Sequence, residues 1–327
     1  MPDLLIFQNI PIHFSYEEIK EGIRLIEKLR QIEGLVCGYT GNRMIVVAAH
    51  DENVLSAVKE VYDKKYLDLV LIGDKEKILK IADQLLLDIS RINIIKELDV
   101  AESARIAVNM VKNGEAEILM KGLIQTADFM RAVMEKDKGL RTNRLISHVE
   151  IVEPANYPKL LLISDAGINI APDLKQKADI IRNAVEVAHK LGIAQPKVAV
   201  LSAIESVNPD IESTIDASAL SKMAQRGQIT GCIVDGPLSM DLAISNESVR
   251  QKGVISEVAG NADILIPPDI NTANILLKAL VFLGKNDSCS VLTGTRVPLV
   301  VTSRADSSKS KYYSILLALA MSINRGE

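Results

Sequence analysis

Residues 297–308 read Val-Pro-Leu-Val-Val-Thr-Ser-Arg-Ala-Asp-Ser-Ser, an apolar run that passes directly into hydroxyl groups, one guanidinium and one carboxylate. A continuous Val/Leu run is typical of a strand buried on both faces of a parallel sheet. In open α/β sheets, ligands bind beyond the carboxyl ends of such strands. The stretch therefore predicts an α/β fold in which Ser303 and Arg304 lie at a binding site.

The polar end of this stretch is suited to an anion. Arg304 offers a planar fork to a phosphate group, and Ser307, Ser308 and the free N–H groups after them would cap a helix over residues 311–321 and face the same anion. Ser and Asp between a strand and a helix are also ordinary helix caps, and an Arg beside them can simply form a surface ion pair. Evidence from other parts of the chain is needed to choose between an anion site and ordinary helix capping.

The composition sets the class of protein. With 327 residues, 48% of them hydrophobic, the chain can bury a large core and is long enough for about two domains. The net charge is −4, and neither a basic block nor an aromatic ladder is present. We therefore expect no nucleic-acid partner, and any affinity for phosphate must be local.

The cysteines and the N-terminal residues indicate the compartment. Cys37, Cys232 and Cys289 are widely spaced, which favours reduced thiols over disulfides or a zinc site. The first residues lack the basic and apolar regions of a secretion signal, and no apolar run reaches the roughly 18 residues of a membrane span. We expect a soluble, cytoplasmic protein that binds no membrane and no metal.

Short apolar runs alternate with longer amphipathic segments, which predicts a mainly parallel sheet flanked by helices. The predicted strands cover residues 43–48, 68–72, 117–121, 145–152, 159–164, 197–202, 231–235, 262–266 and 297–302. The predicted helices cover residues 16–32, 53–62, 76–85, 102–111, 178–190, 211–225, 272–282 and 311–321.

One connection breaks this alternation. Residues 145–152 and 159–164 are joined by a short turn bounded by Pro154 and Pro158, which predicts a hairpin. We expect a second α/β domain to begin there. It would comprise residues 142–290, inserted into a first domain of residues 1–141 and 291–327, with the active site in the cleft between them.

Polar residues follow several predicted strands. Each polar turn alone is an ordinary helix cap, but together, at the carboxyl edge of one sheet, they indicate a site. The glycine-rich dinucleotide loop and the P-loop lysine motif are absent, which removes two common nucleotide-binding classes. The polar residues singled out are Lys121, Gly122, Arg131, Asp165, Asp235, Asp241, Asp269 and Asn271.

Three segments in this order resemble the phosphate acetyl/butyryltransferase family: residues 235–241, residues 259–274 and the pair Ser303-Arg304. The resemblance covers nearly the whole chain, and Pro-Pro-Asp-Ile-Asn at residues 267–271 is most similar to the butyryl-transferring members. It implies a fold like that of isocitrate and isopropylmalate dehydrogenases and a homodimer or higher homo-oligomer. It also implies the reversible reaction of acyl-CoA with phosphate to give acyl phosphate and CoA, without a permanently bound cofactor and coupled to a kinase that uses acyl phosphate.

The resemblance also implies roles for residues. Arg304 would clamp phosphate, Ser303 would donate to the oxyanion or the thiolate, and Arg131 would be a second anion contact. Lys121 and the N–H groups after Gly122 would add positive potential. The remaining candidate contacts to phosphate or CoA are Asp165, Asp241, Asp269 and Asn271.

The base that deprotonates the CoA thiol is less well indicated. Acetyl-transferring relatives place an acidic residue about two turns beyond the Ser-Arg pair, where this chain has Ser-Lys-Ser-Lys at residues 308–311. Asp306 is nearer and ranks first, with Asp241 and Asp269 as alternatives. Cys232 lies within an apolar strand, and direct attack by CoA needs no acyl-enzyme, so we expect a structural thiol there.

Two other functions stay open at this point. A metal- and NAD(P)-dependent hydroxyacid dehydrogenase of the same fold would use strand-end carboxylates such as Asp165 and Asp235 as metal ligands. A non-catalytic acyl-CoA-binding protein would need neither Ser303 nor Arg304. The chain's four histidines share no metal-ligand spacing, and its low aromatic content favours an adaptable aliphatic acyl pocket.

Overall fold

The computed structural model describes residues 25–323. The predicted helix over residues 16–32 and the beginning of the predicted first domain thus lie partly outside the described residues. The strands are β1 Arg43–Val47, β2 Asp68–Gly73, β3 Asn93–Lys96, β4 Ile118–Lys121, β5 Ser147–Glu153, β6 Leu161–Ser164, β7 Lys197–Leu201, β8 Ile233–Leu238, β9 Ile264–Ile266, β10 Asp287–Thr293 and β11 Leu299–Val300.

Helices connect most of these strands. They are α1 Ile32–Val36, α2 Glu52–Asp63, α3 Lys75–Gln84, α4 Val100–Lys112, α5 Thr126–Val133, α6 Leu174–Lys190, α7 Glu212–Gln225, α8 Met240–Ile244, α9 Asn246–Lys252, α10 Ile270–Lys278 and α11 Ser308–Ser322. A short 3₁₀ turn, Leu29–Gln31, precedes α1, and a π-helical turn, Ala279–Leu283, continues α10.

The strands form one sheet in the order β3-β2-β1-β4-β11-β10-β5-β6-β9-β7-β8. The strands pair in parallel on both sides, and the antiparallel pairs β11/β10, β10/β5 and β5/β6 lie together in the middle. The predicted α/β fold with a mostly parallel sheet is confirmed, and so is the hairpin formed by β5 and β6.

The central strands are buried on both faces because helices cover both faces of the sheet. In β1, Met44 and Val46 pack into one core cluster, and Ile45 and Val47 pack into the cluster on the other face. Each such side chain contributes roughly 1.5–3 kcal/mol through burial. This two-sided burial explains why the core strands read as continuous apolar runs.

Two strands, β3 and β10, were not predicted from the sequence. β3 is an edge strand whose residues are exposed or half-buried, so its apolar signal is weak. β10, Asp287–Thr293, mixes polar and apolar residues and is held by pairing along its whole length with β5. The expected domain boundary between residues 290 and 291 falls inside β10. The division into two domains stays a prediction.

The sheet positions the site. β1, β4 and β11 are adjacent and parallel, with Val47 opposite Lys121 and Val300 opposite Met120. The strand predicted over residues 297–302 is shorter than expected, because only Leu299–Val300 pair as strand. Lys121 and the irregular residues after Val300 therefore emerge side by side at one carboxyl edge.

Candidate functional site

The segment after β11 forms a tight turn between Ser303 and Asp306. The backbone N–H of Ser303 donates to Asp306 Oδ2 at 2.6 Å, and the N–H of Asp306 donates to the carbonyl oxygen of Ser303 at 3.2 Å. Ser307 then caps α11 by accepting the N–H of Ser310 at 3.1 Å. Part of the hydroxyl cluster is thus cap chemistry, while Ser303 and Arg304 are exposed at the turn.

Lys311 supports this turn from the first turn of α11. The residue is only 2% exposed, and its Nζ donates to the carbonyl oxygens of Ser303 at 3.0 Å and Asp306 at 2.6 Å. Burial lowers the pKa of the Lys311 ammonium, and the carboxylates of Asp306 and Asp51 act against that shift. From the sequence, position 311 is noted only as part of the segment that lacks the acidic residue of acetyl-transferring relatives.

Lys121 ends β4 beside the same turn and is 4% exposed. Burial lowers its pKa, and the positive charges of Arg304 and Lys311 lower it further, while Asp51 and Asp306 raise it. The structure therefore brings Lys121, Arg304 and Lys311 into one cationic group, which we call the cation cluster. Three positive charges against two carboxylates leave a site that favours an anion.

Gly122 has a packing role. A Cβ at this position would come within 2.6 Å of the carbonyl oxygens of Val47 and Ala48, so only glycine fits between β4 and β1. The N–H groups of Gly122 and Leu123 donate to these same carbonyl groups at 2.8 Å, and the N–H of Ile124 donates to Gly122. These three N–H groups are thus hydrogen-bonded within the protein, and a contribution to an anion site from the N–H groups that open α5 stays a prediction.

A cavity of about 280 Å³ opens on the other side of the turn, and we call it the inner cavity. Ser303 and Asp306 line its mouth, and α10 forms one wall through residues that include Leu277 and Lys278. Its floor is one face of the antiparallel pair of β5 and β10, which presents His148, Glu150, Ser288 and Ser290.

The floor contains two buried titratable groups that the sequence analysis did not select. His148 Nε2 lies 3.6 Å from Glu150 Oε2. Burial raises the pKa of Glu150 to about 8; a hydrogen bond with Ser288 and the charge of Lys278 act against this rise, and the charge of Asp306 adds to it. Burial lowers the pKa of His148, and the carboxylate of Asp165 opposes this. A usable signal was the alternation of polar and apolar residues at 148–151, which predicts one polar strand face.

Asp165 lies next to the inner cavity and holds its rim. Its Oδ1 accepts the N–H groups of Gly167 at 2.7 Å and Ile168 at 2.8 Å, and its Oδ2 accepts the side-chain amide of Asn169 at 2.6 Å and the N–H of His148 at 3.2 Å. Protein donors thus occupy both oxygens. A substrate contact by Asp165 stays a prediction.

The other predicted site residues lie outside the inner cavity. Asp241 accepts from Ser239 Oγ at 2.6 Å and pairs with Lys252 at 3.1 Å, and these contacts lower its pKa to about 2. Asp269 caps α10 by accepting the N–H of Thr272 at 2.9 Å, and Asn271 is exposed in the first turn of that helix. The Arg131 side chain is 74% exposed and pairs with Asp128 at 2.6 Å.

Within residues 25–323, no three His, Cys, Asp or Glu side chains come together in a way that could hold a metal ion. Over the same residues, none of the helices has both the length and the apolar character needed to cross a membrane. All three cysteines lie in this range and are unpaired, with Cys289 buried and Cys37 exposed.

The comparison with known families agrees with the geometry of the turn. The model of the family described as "Phosphate acetyl/butaryl transferase" matches residues 97–319, which include β4, the turn and the inner cavity. The chain belongs to this family. The resemblance seen in the sequence motifs is therefore confirmed.

Curated relatives match over most of their length. The phosphate butyryltransferase of Clostridium acetobutylicum is 44% identical over 283 residues, which cover 86% of this chain and 94% of that protein. The phosphate acetyltransferase of Thermotoga maritima is 46% identical over 278 residues, or 85% of this chain and 94% of that protein. Acetyl- and butyryl-named relatives are thus about equally similar to the chain.

Solved structures show the same fold. A branched-chain phosphotransacylase from Enterococcus faecalis aligns with a TM-score of 0.76 and 32% identity over 86% of this chain and 99% of that chain. The 4-hydroxythreonine-4-phosphate dehydrogenase of Klebsiella pneumoniae aligns over 87% of this chain and 100% of that chain, with a TM-score of 0.51 and 13% identity. The second likeness shows only that a dehydrogenase shares the fold.

Proposed function

We propose that the protein transfers a short acyl group between CoA and inorganic phosphate, so that acyl-CoA and phosphate give acyl phosphate and CoA. The observation that carries this proposal is the position of the cation cluster. Lys121, Arg304 and Lys311 lie together at the carboxyl edge of β4 and β11. Arg304 belongs to the turn between Ser303 and Asp306, which also presents Ser303 to the inner cavity. An anion and an acyl group can thus meet at one point.

The cation cluster binds the phosphate. Arg304 is exposed at the turn and supplies two parallel N–H donors to phosphate oxygens, a geometry that a lysine lacks. Lys121 and Lys311 are buried behind it, where their charges are weakly screened and their donors are already positioned. The arrangement also stabilises the dianion that leaves when an acyl phosphate is cleaved.

The turn supports the acyl transfer itself. In the direction that uses CoA, Asp306 takes the thiol proton and the sulfur attacks the acyl carbonyl carbon; as the C–O bond breaks, Asp306 passes the proton to the departing phosphate, which leaves as the hydrogenphosphate dianion. In the opposite direction Asp306 takes the proton of the hydrogenphosphate as its oxygen attacks the thioester, and gives that proton to the departing thiolate as the C–S bond breaks. The Ser303 hydroxyl donates to the carbonyl oxygen, which becomes negative in the tetrahedral state.

Asp306 is placed to serve as this base while it holds the turn. Its Oδ2 accepts the N–H of Ser303, and no donor from the described residues is hydrogen-bonded to its Oδ1. One carboxylate oxygen is thus available for the thiol. Asp241 and Asp269, the alternative bases, are engaged at helix starts away from the turn, which ranks them lower.

Residues around this centre complete the proposed site. Asp165 positions the rim, and Arg131, Asp241, Asp269 and Asn271 remain candidates for contacts with the long CoA molecule. We also propose a homodimer or higher homo-oligomer, a cytoplasmic location and no permanently bound cofactor, in line with a family whose substrates diffuse in and out. The acyl phosphate formed is reactive, so a kinase that consumes it is the expected metabolic partner.

A single assay separates this function from the two alternatives. The protein is mixed with butyryl-CoA, with and without phosphate, and release of free thiol is followed. Release that requires phosphate supports the acyltransferase. Nicotinamide absorbance changes with a hydroxyacid, in place of thiol release, would indicate the dehydrogenase, and binding of acyl-CoA without any turnover would indicate the non-catalytic protein.

A further inference from the structure

The floor of the inner cavity is polar, although an acyl pocket for a plain hydrocarbon chain would be expected to be apolar. Glu150 is 8% exposed and Ser290 is 4% exposed, and both line the cavity. They face each other directly across the antiparallel pair, since Glu150 of β5 is in register with Ser290 of β10. Two hydrogen-bonding groups thus lie side by side in a buried cavity.

The pairing register of β5 and β10 places these polar side chains on the same face of the sheet. Val149 and Ile151 of β5 and Cys289 and Val291 of β10 point to the opposite face and join a hydrophobic core cluster. The cavity face carries the alternate residues. The polar residues are therefore directed into the cavity by the same alternation that fills the core behind them.

A neighbouring group at the floor, the imidazole of His148, has one ring nitrogen without a hydrogen-bond partner. His148 Nδ1 is buried and accepts or donates no hydrogen bond within the described part of the chain. Its ring packs against Gly167, where an added Cβ would lie 3.5 Å from that nitrogen. Buried polar atoms without partners are uncommon in native proteins, and a bound ligand is one reason for them.

We propose that the inner cavity holds the acyl group and that Glu150 and Ser290 recognise a hydroxyl group on it, so that hydroxy-substituted short-chain acyl-CoA is preferred over the unsubstituted thioester. This inference rests on the proposed function and concerns its substrate class. The position of Ser303 and Asp306 at the cavity mouth supports it, because a carbonyl group held at Ser303 directs its chain inward.

The charge of Lys278 acts against a cationic substituent on the acyl chain. Lys278 of α10 lines the same cavity, and its charge acts on both Glu150 and His148, so a second cation on the acyl chain would be disfavoured. Because burial raises the pKa of Glu150 to about 8, its carboxyl group holds a proton at neutral pH and can both donate to and accept from a hydroxyl.

Specificity should follow from hydrogen bonding more than from size. A hydroxyl can bond both Glu150 and Ser290, whereas a methyl or methylene group in its place can bond neither. Sites built to bond a substrate hydroxyl discriminate strongly against the analogue that lacks it. We expect kcat/KM for the better hydroxy substrate to exceed that for butyryl-CoA by roughly tenfold or more.

The test compares kcat/KM for butyryl-CoA, β-hydroxybutyryl-CoA and γ-hydroxybutyryl-CoA. Wild-type protein should prefer one of the two hydroxy substrates. Glu150→Leu replaces the carboxyl with an apolar group of similar size and should reverse the preference, while Glu150→Gln keeps hydrogen bonding and should retain it. The control Glu115→Leu makes the same change at an exposed position at the opposite edge of the sheet, before β4, and should leave the ratio unchanged.

The outcomes separate the inference from the function on which it rests. If no thioester gives phosphate-dependent thiol release, the proposed function fails. If wild-type protein is active but turns over butyryl-CoA as well as both hydroxy substrates, the inference is wrong. Should Glu150→Leu unfold, Ser290→Ala removes a single hydroxyl and must by itself lower the preference, and an unchanged ratio in that variant overturns the inference.

Discussion

The carboxylate of Asp306 accepts the backbone N–H of Ser303 at 2.6 Å, so the residue proposed to take the thiol proton also closes the turn that presents the serine. Lys311 holds the same turn from below through two backbone carbonyl groups. In the proposed mechanism, the groups that act on the thiol proton, the carbonyl oxygen and the phosphate are therefore fixed to one another. A displacement of this turn would affect all three functions together.

Asp306→Asn should lower turnover by roughly a hundredfold or more in the direction that uses free CoA, because the general base is lost. The amide oxygen of asparagine can still accept the N–H of Ser303, so the melting temperature should hold. The defect should shrink as the pH approaches the thiol's own pKa of about 8.5, where CoA ionises unaided. Normal turnover at neutral pH would leave Asp306 only its role in the turn and shift attention to Asp241 or Asp269.

Arg304→Lys should impair turnover severely even though the charge is kept, because lysine offers a point charge in place of a planar fork. Arg304 is exposed at the turn, so stability should change little. Steady-state kinetics with varied phosphate measure the effect. Wild-type constants in this variant would remove Arg304 from the phosphate site.

Lys311→Met should raise KM for phosphate at least about tenfold, because a buried charge of the cation cluster is lost. It should also destabilise the protein by roughly 1–3 kcal/mol, since the carbonyl groups of Ser303 and Asp306 lose their donor. The control is Lys309→Met, two residues away, which removes an exposed ion pair with Asp287 and should change stability by less than about 1 kcal/mol. Equal phosphate kinetics in the two variants would contradict a role for Lys311.

Glu150 should make stability depend on pH. Its pKa is raised from 4.5 to about 8 in the folded protein, so the folded state holds a proton that the unfolded state has lost in this range. The free energy of unfolding should therefore fall as pH rises from about 5 to about 8. In Glu150→Gln this fall should be smaller, as measured by urea denaturation across the range. Identical slopes for wild type and variant would show that Glu150 ionises normally.

The sequence was sufficient to predict those site residues that directly follow parallel strands. Lys121 and the residues after Val300 end adjacent parallel strands, and such ends must emerge at one edge, so their meeting could be predicted. Lys311 could not be found in this way. Its side chain reaches Ser303 because side chains on a helix point back toward its N-terminus, and the value of that reach depends on the shape of the turn.

The inner cavity could not be predicted from the sequence alone. Strand β10 begins with polar residues and is stabilised by its partner β5, and such tertiary context routinely overrides local preference. Without β10 the pairing of Glu150 with Ser290 could not be foreseen, although the alternation along β5 already indicated one polar strand face. The aliphatic acyl pocket expected from the low aromatic content stays a prediction, and Ile168, Val281 and Leu292 are among the residues that line the inner cavity.

The most direct test of the acyltransferase is the stoichiometry of its products. The protein is incubated with an acyl-CoA and phosphate, the free thiol is titrated, and the acyl phosphate is trapped with hydroxylamine as the hydroxamate. We expect one acyl phosphate for each CoA released, with both products dependent on phosphate and both severely reduced in Arg304→Lys. Thiol release without acyl phosphate, at a rate independent of phosphate, would mean that the protein hydrolyses the thioester and would contradict the account.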